Sequence, residues 1–325
     1  MSHFGHADNP LTPLDMSAPS SDDIVQPFQI DSSHLRGRLV RVGPMLEEIL
    51  SKHDYPEPVA TLLGETITLA ITLAGALKYE GIFTLQTKGD GPISLMVADV
   101  TSTGDVRGYA QFNAERLASA DIAAVAPVPA LLGSGYLAFT VDQGEHTERY
   151  QGIVELTGDT LSECVQHYFR QSEQLDTGIK VAVSRASALG DGAGNGELAW
   201  RGGALMLQRL PEDQIQQTLG SDVADDWRRA MVLMGTCSDA ELVDPKLPPN
   251  DLLYRLFHED GVRVYAPMAL QAACRCSRER VTNVLRSLPR DEVSELKVDG
   301  KVEVTCEFCN STYTFDDAQL EQIYD

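Results

Sequence analysis

The sequence has few cysteines and no excess of basic residues. Its six cysteines among 325 residues are too few for the disulfide-stapled scaffold of a small secreted protein. The formal net charge of −22 argues against DNA or RNA as a partner, because nucleic-acid affinity depends mainly on Lys and Arg that neutralise phosphates. Many ordinary cytoplasmic proteins are acidic, so the charge alone identifies no partner.

Patterns that indicate membrane insertion or secretion are also missing. No apolar run approaches the roughly 18 residues that a membrane span requires, and the longest candidate, near residues 66–77, contains Thr and Gly. The chain does not open with a basic stretch followed by an apolar block, so no secretory signal is indicated. The sequence therefore predicts a cytoplasmic protein without a membrane partner.

What remains is the composition of a folded protein. Apolar residues make up 43% and charged residues 23% of the chain, as in ordinary soluble globular proteins, and the length suggests about two domains. Residues 1–25 are rich in Ser, Pro and Asp without any period, which predicts a disordered tail. Residues 26–210 predict a mixed α/β core domain, so the expected fold class is α+β.

Helical and strand patterns alternate within this predicted core domain. The spacing of apolar residues predicts helices at 40–51, 66–77 and 161–171, the last one capped by Thr160. Alternating apolar residues and turn signals predict strands at 82–87, 93–98, 137–141, 150–155, 179–183 and 204–208. The glycine-rich segment 190–196 lacks the spacing of a phosphate-binding loop and indicates a plain strand connection.

Residues 211–268 change to short amphipathic helices separated by breakers. Ser221 can cap the first helix, Ser238 and Glu241 have the spacing of a capping box, and Pro248-Pro249 precedes another helix at 251–258. Helices this short cannot form their own core, so the pattern predicts a helical linker that docks on the core domain. Its apolar faces include Trp227, Met231, Met234, Leu253 and Phe257.

Four of the six cysteines cluster near the C-terminus as Cys274-x-Cys276 and Cys306-x-x-Cys309. Zinc prefers four tetrahedral ligands, and thiolates suit it. The intervening 29 residues can form a helix and a strand, so both pairs can converge on one ion. Because all four ligands are cysteines, no position stays open for water, which disfavours catalytic zinc. The sequence predicts one Zn²⁺ per chain in the reduced state.

The predicted zinc domain, residues 269–325, is too small to be stable by packing alone. Zinc–thiolate binding contributes about 10–16 kcal/mol in small finger peptides, which matches the whole stability of a typical domain, roughly 5–15 kcal/mol. The domain should therefore fold with zinc and unfold when its thiolates are oxidised. It carries 7 Lys and Arg against 11 Asp and Glu, which disfavours a nucleic-acid ribbon.

At these residues the sequence resembles the 33-kDa chaperonin family of redox-regulated heat-shock chaperones. The diagnostic stretch is Cys274-Arg-Cys276-Ser-Arg-Glu-Arg280, followed by Cys306-x-x-Cys309. Further family-like segments occur in the same order at 53–56, 89–92, 149–152, 158–160 and 172–174. The resemblance covers roughly residues 28–324, and the N-terminal tail is longer than the family pattern.

The resemblance implies a core domain, a helical linker and a zinc-binding redox-switch domain in a chaperone that is not an enzyme. It implies a holdase that is inactive while reduced and zinc-bound and that needs no ATP. Oxidation would form the disulfides Cys274–Cys276 and Cys306–Cys309, release zinc and unfold the linker. Unfolding client proteins would then bind the exposed apolar faces, and the oxidised chain would form a homodimer. Trp227, Met231, Met234, Leu253 and Phe257 are the client-binding candidates.

Two other functions remain open from the residues alone. One is an enzyme, either a thiol oxidoreductase that uses Cys306 and Cys309 or a hydrolase in the core, but the pair does not open a helix in a βαβ pattern and no nucleophile elbow appears. The other is a constitutive zinc-ribbon binding protein. Cys164 and Cys237 lie on predicted helices and are expected to be small buried hydrophobic residues.

Overall fold

The computed structural model describes residues 22–324 except 34, 121–125, 145–149, 188–197 and 210–222. The predicted tail up to residue 21, the glycine-rich segment 190–196 and Ser221 thus lie outside the described residues. The strands are β1 (Ile24–Ile30), β2 (Leu35–Val42), β3 (Ile82–Gly89), β4 (Ile93–Thr101), β5 (Asp105–Phe112), β6 (Gly135–Asp142), β7 (Tyr150–Glu155), β8 (Thr177–Ser187), β9 (Leu198–Gln208), β10 (Val262–Val264), β11 (Met268–Ala269), β12 (Gln271–Ala272), β13 (Lys301–Thr305) and β14 (Thr312–Asp316). The helices are α1 (Pro44–Leu50), α2 (Glu57–Ala74), α3 (Ala114–Ala118), α4 (Leu161–Tyr168), α5 (Val223–Gly235), α6 (Asp239–Val243), α7 (Pro249–Phe257), α8 (Arg278–Ser287), α9 (Arg290–Glu295) and α10 (Asp317–Tyr324).

Two six-stranded sheets form the core. Sheet A has the order β10-β1-β2-β9-β8, with β11 also paired to β1, and sheet B has the order β12-β5-β4-β3-β6-β7. The pairs are antiparallel except β12 with β5, which is parallel. A separate hairpin, β13-β14, lies in the C-terminal part of the chain. The expected α+β class is therefore confirmed.

Helix α2 lies between the two sheets and organises the main core. It contacts strands of both sheets, and its residues are buried on nearly every side, as the almost continuous apolar sequence requires. By length and composition α2 could cross a membrane, but 78% of it is buried inside the protein. It is therefore best described as the core helix of a folded domain.

The linker helices α5, α6 and α7 cover the opposite face of sheet A. Their apolar residues form a second cluster with strand residues such as Phe28, Leu205 and Leu207. Phe257 stacks on Phe28 with ring centroids 5.9 Å apart. The expected capping box of Ser238 and Glu241 is present. The short linker helices thus gain their apolar environment from the core sheet, as expected.

Two buried arginines of sheet A fix the connection between α6 and α7. Arg41 donates to the carbonyl oxygens of Asp244 at 2.6 Å and Glu241 at 2.8 Å. Arg201 donates to the carbonyl oxygen of Val243 at 2.9 Å. Burial lowers the pKa of Arg41 to about 10, so its guanidinium stays charged at neutral pH. These charge-assisted bonds hold the linker backbone directly to the core.

The element boundaries differ from expectation in four places. Residues 40–42 belong to β2, so the helix expected at 40–51 begins at Pro44, where proline suits the first helical turn. The helix expected at 66–77 begins nine residues earlier, at Glu57. Strand β1 takes up Ile24 and Val25, which were assigned to the tail. The predicted linker also contains strand β10.

Of the remaining core elements, strand β5 and helix α3 have no counterpart among the expected elements, whereas the others follow the sequence patterns. All six expected strands are present, and β6 pairs with β7 and β8 with β9. The oxygen of Thr160 caps α4, which ends at Tyr168 and continues as one π-helical turn to Glu173. Apolar alternation did not identify every strand with one buried face, because alternate residues of β5 are buried too.

Candidate metal centre

Two short loops carry the four cysteines. Cys274 and Cys276 precede α8, which begins where the Ser277 oxygen accepts from the N–H of Arg280. Cys306 and Cys309 lie in the turn between β13 and β14, closed by a bond from the N–H of Asn310 to the carbonyl oxygen of Cys306, 2.8 Å. Asn310 has a φ of 57°, the left-handed conformation that asparagine tolerates well.

The fold brings all four sulfurs into one cluster. The Sγ atoms of Cys274, Cys276, Cys306 and Cys309 lie within 4.8 Å of one another. Cys274 and Cys306 are 3.7 Å apart, and Cys276 and Cys309 are 3.3 Å apart. Four thiolates on one zinc ion at about 2.3 Å would be separated by about 3.8 Å. The cluster could therefore hold a metal ion, and its donor set suits zinc.

The cysteine thiols of the cluster perturb one another's pKa values in both directions. Burial raises the pKa of the Cys276 thiol to about 12, and the neighbouring thiols contribute to that rise although Tyr313 donates to its sulfur at 3.1 Å. Burial likewise raises the pKa of Cys306. Burial also acts on Cys309, but hydrogen bonds with Ser311 and with the neighbouring thiols outweigh it and lower the pKa of Cys309 to about 6. Thiols that bind a divalent cation release their remaining protons.

The residues between the cysteines dock the cluster on sheet B. Arg275, between the first pair, donates to the buried carboxylate of Asp99 at 2.5 Å. Asp99 also accepts from Arg107 at 2.7 Å. Phe308, between the second pair, lies under the Arg107 guanidinium, 3.7 Å from the ring centroid, and meets Tyr109 edge-on at 4.7 Å. Both cysteine loops thus contact neighbouring residues of β4 and β5.

This docking contact was missed from the sequence. In the sequence, Arg275 and Phe308 are only spacers of the two cysteine motifs, and Asp99 lies in a strand without any motif. One signal was available: a charged and an aromatic residue occupy spacer positions of the two cysteine motifs, where small polar residues would suffice. Their partners could not be found without knowing that β4 and β5 lie beside the two cysteine loops.

The predicted zinc domain, residues 269–325, which we call the C-terminal or cysteine module, has its own small core. Its buried apolar residues are Leu285, Val293, Val302, Phe315, Leu320 and Ile323. Six buried residues provide little packing energy for a module of this size. The apolar cluster of this module is separate from that of the linker, so the two do not share a core.

The client-binding candidates all lie on the linker's packed side. Leu253 and Phe257 are fully buried and Met234 is buried, whereas Trp227 and Met231 are half-buried against the same cluster. None of the five forms an exposed patch in this conformation. Any binding by these side chains would require the linker to leave sheet A.

The two remaining cysteines lie away from the cluster. Cys164 and Cys237 are buried free thiols, and burial raises the pKa of each. They therefore have the expected character of small buried hydrophobic residues. Cys306-x-x-Cys309 occupies a hairpin turn rather than a helix start, which is not the arrangement that activates an oxidoreductase thiol.

The fold and the cysteine cluster define a class: an α+β protein whose core carries a docked linker and a four-cysteine module. Residues 23–316 match the family model described as Hsp33 protein. The chain is 41% identical over 297 residues to a 33 kDa chaperonin of Caulobacter vibrioides, covering 91% of this chain and 95% of the relative. It is 37% identical over 304 residues to one of Pseudomonas fluorescens strain SBW25, covering 93% of each chain.

A solved structure shows the same fold. The crystal structure of a 33 kDa chaperonin, a heat shock protein 33 homologue, from Thermotoga maritima matches with a TM-score of 0.72 over 93% of this chain and 98% of that chain, at 24% identity. The chain belongs to the Hsp33 family of heat-shock chaperones, which confirms the resemblance drawn from the cysteine motifs. Its relatives are named chaperonins, a class that is not enzymatic.

Proposed function

We propose that this chain is a redox-regulated holdase of the cytoplasm, inactive when its four cysteines are reduced and bound to one zinc ion. The observation that carries the proposal is the cluster of four sulfurs within 4.8 Å in a module whose packed core is very small. A bound zinc would supply on the order of 10–16 kcal/mol of folding energy. The module's stability then depends on the reduced state of its thiolates.

Oxidation would act on the ligands themselves. Two neighbouring thiolates lose two electrons to hydrogen peroxide, and with two protons the products are one disulfide and two waters. We assign the disulfides to Cys274–Cys276 and Cys306–Cys309. The sulfur distances do not select this pairing, because Cys274–Cys306 and Cys276–Cys309 are also in contact. The support is family resemblance and the low entropy cost of closing the shortest loops.

Loss of the ligands would undo both the module and its docking contact. The Cys274–Cys276 and Cys306–Cys309 disulfides change the loops that hold Arg275 on Asp99 and Phe308 on Arg107. Residues 211–268 would then lose their neighbour on the C-terminal side, and isolated helices shorter than about 12–15 residues are marginal in water. The linker would release the apolar faces of Trp227, Met231, Met234, Leu253 and Phe257.

The exposed faces would bind unfolding proteins and prevent their aggregation, without ATP. They would also allow the oxidised chain to form a homodimer, because an apolar surface of this kind is an interaction site. No enzymatic step and no nucleic-acid partner belong to this proposal.

The test combines one activity with two chemical counts. The reduced protein should hold one zinc and four reactive C-terminal thiols and should not suppress the aggregation of a thermally unfolding enzyme. After peroxide treatment it should contain no zinc and no free thiol among the four cysteines, and it should fully suppress the aggregation of that enzyme. Suppression that is equal before and after peroxide would instead indicate a constitutive binding protein.

A further inference from the structure

Residues 260–273, which we call the belt, pair with the outer edges of both core sheets. β10 and β11 lie along β1, and β12 lies along β5. The N–H of Tyr265 donates to the carbonyl oxygen of Pro27 at 3.0 Å, and that of Leu270 donates to Asp23 at 2.8 Å. On sheet B, the N–H of Ala273 donates to Val106 at 2.9 Å. The belt is therefore an edge strand for both sheets at once.

The belt is held by short strands and by side-chain bonds to both sheets: Gln26 donates to the carbonyl oxygen of Tyr265 at 2.5 Å, and Gln271 donates to Asp105 at 2.6 Å. Its strands contain three, two and two residues, and Pro267 interrupts them where no N–H is available. At its N-terminal end the chain continues from α7, and two residues past its C-terminal end Arg275 is anchored on Asp99. Release of the cysteine module would therefore free the end that holds the belt on β5.

Two alternate side chains of the belt fill slots in the protein core. Leu270 is 7% exposed and belongs to the main core cluster, and Met268 packs against the same cluster. A cavity of about 510 Å³ adjoins Met268 beside the end of α2 and is lined by Gly75, Leu77 and Tyr79 among others. Removal of the belt would empty the two positions that Met268 and Leu270 occupy. It would also leave the backbone groups along the edges of β1 and β5 unpaired. Open strand edges of this kind readily pair with another chain.

We propose that the edges of β1 and β5 vacated by the belt bind extended segments of client proteins, which add to the sheets as strands. The recognised segment has apolar side chains at two alternate positions, because the belt itself places Met268 and Leu270 in the two slots. Backbone pairing supplies affinity and the slots supply selectivity, as in other cases of strand addition. This inference rests on the proposed holdase function and adds a site distinct from the linker's apolar faces.

The test uses a labelled peptide with the sequence of residues 260–273 as a probe on the full-length protein. The peroxide-oxidised chain should bind it at least tenfold more tightly than the reduced chain does. A peptide N-methylated at Tyr265 and Leu270 keeps every side chain but loses two backbone donors, and it should bind at least tenfold more weakly. A peptide with Met268→Ser and Leu270→Ser should bind the oxidised chain more weakly to a similar degree.

Competition then separates the possible occupants. The native peptide should displace reduced, carboxymethylated α-lactalbumin, a permanently unfolded client. Failure of the oxidised chain to bind the peptide, equal binding of the N-methylated peptide, or binding that leaves the client in place would each overturn the inference. Dissociation of a homodimer without displacement of the client would assign the edges to a second copy instead. A chain that suppresses no aggregation after oxidation would refute the holdase proposal itself, whatever the peptide does.

Discussion

Replacement of Gly203 by alanine should release the linker while leaving the cysteine cluster unchanged. Gly203 lies on β9 beneath α6, and a Cβ atom added there would lie 2.2 Å from the carbonyl oxygen of Leu242. Contacts below 3.0 Å essentially do not occur for real Cβ atoms. Because the obstacle is backbone, it cannot rotate away, and α6 must move away from the sheet by about 1 Å.

The cost of that movement follows from what holds α6 in place. Overpacking of this kind costs about 1–3 kcal/mol. A shift of about 1 Å also stretches the bonds from Arg41 to the carbonyl oxygens of Glu241 and Asp244, now 2.8 and 2.6 Å, and bonds to a charged group contribute about 1.5–3 kcal/mol each. A net loss of about 3 kcal/mol changes the ratio of docked to undocked linker about 100-fold.

The assay compares Gly203→Ala with a matched control, Gly178→Ala, on the neighbouring strand. The control's Cβ would meet the thioether of Met231 at 2.4 Å and the methyl group of Met234 at 3.1 Å, which are the ends of flexible side chains that can adapt. Under reducing conditions Gly203→Ala should retain one zinc, show increased hydrogen exchange in α6 and α7, and suppress client aggregation. Gly178→Ala should resemble the wild-type protein in all three measurements.

Two results would refute the reasoning. Wild-type exchange in α6 and α7 of Gly203→Ala would show that the close approach at Leu242 does not limit linker docking. Increased exchange without chaperone activity in the reduced state would show that linker release does not activate the protein, and another surface would have to be sought.

Four further predictions use other parts of the structure. Burial, with help from Asp239, raises the pKa of Glu65 to about 7. The contribution of this carboxyl to the free energy of unfolding is therefore fully present below about pH 4.5 and is lost as the pH rises through 7. Glu65→Gln should raise the free energy of unfolding by about 1–3 kcal/mol at pH 8 and leave it unchanged at pH 4, and an equal gain at both pH values would exclude this titration. Asp99→Asn should leave the zinc content at one but increase exchange around Arg275 and lower the peroxide concentration for half-activation severalfold; an unchanged midpoint would show that this contact does not hold the module. Removal of the metal from the reduced chain with a strong chelator should unfold the β13-β14 hairpin while β8 and β9 stay protected, and a metal-free folded hairpin would contradict the site. Trp227→Asp should retain zinc and suppress aggregation when reduced, since a charge on this half-buried face cannot dock and stay solvated. A reduced variant whose linker amides exchange freely but which suppresses no aggregation would contradict this prediction.

The sequence was informative where one local signal determines one element. The strand alternation at 82–87 and 93–98 predicted β3 and β4, and the capping residues Thr160 and Ser238 predicted helix starts that the structure shows. It failed where a neighbouring element decides the outcome. Residues 40–42 have helical apolar spacing, yet they extend β2 because β9 pairs with them.

The same distinction applies to the candidate site. The four cysteines could be assigned together because thiol chemistry and spacing are local properties of the chain. Asp99 could not be assigned, because its role depends on Arg275, a residue 176 positions away. The role of Gly203 could not be predicted either, since a strand glycine that lies against a backbone carbonyl looks in sequence like any other strand glycine. Long-range contacts of single residues are the part that only the structure supplies.

In the proposed function, the cysteine chemistry would reach the linker through the belt. The module and the linker have separate apolar clusters, so the loss of one core does not directly weaken the other. The two are joined by the belt. Followed backwards from the module towards the linker, the belt pairs first with β5 and then with β1 before it meets α7. Unfolding of the module removes the Arg275 anchor, and the belt's short strands can then separate in turn from β12 towards β10. The final separation would leave α7 without a neighbour on its C-terminal side, still held by Phe257 on Phe28, while Arg41 holds the connection between α6 and α7. Under the proposed function, those last contacts would set how easily the linker opens once the thiolates are oxidised.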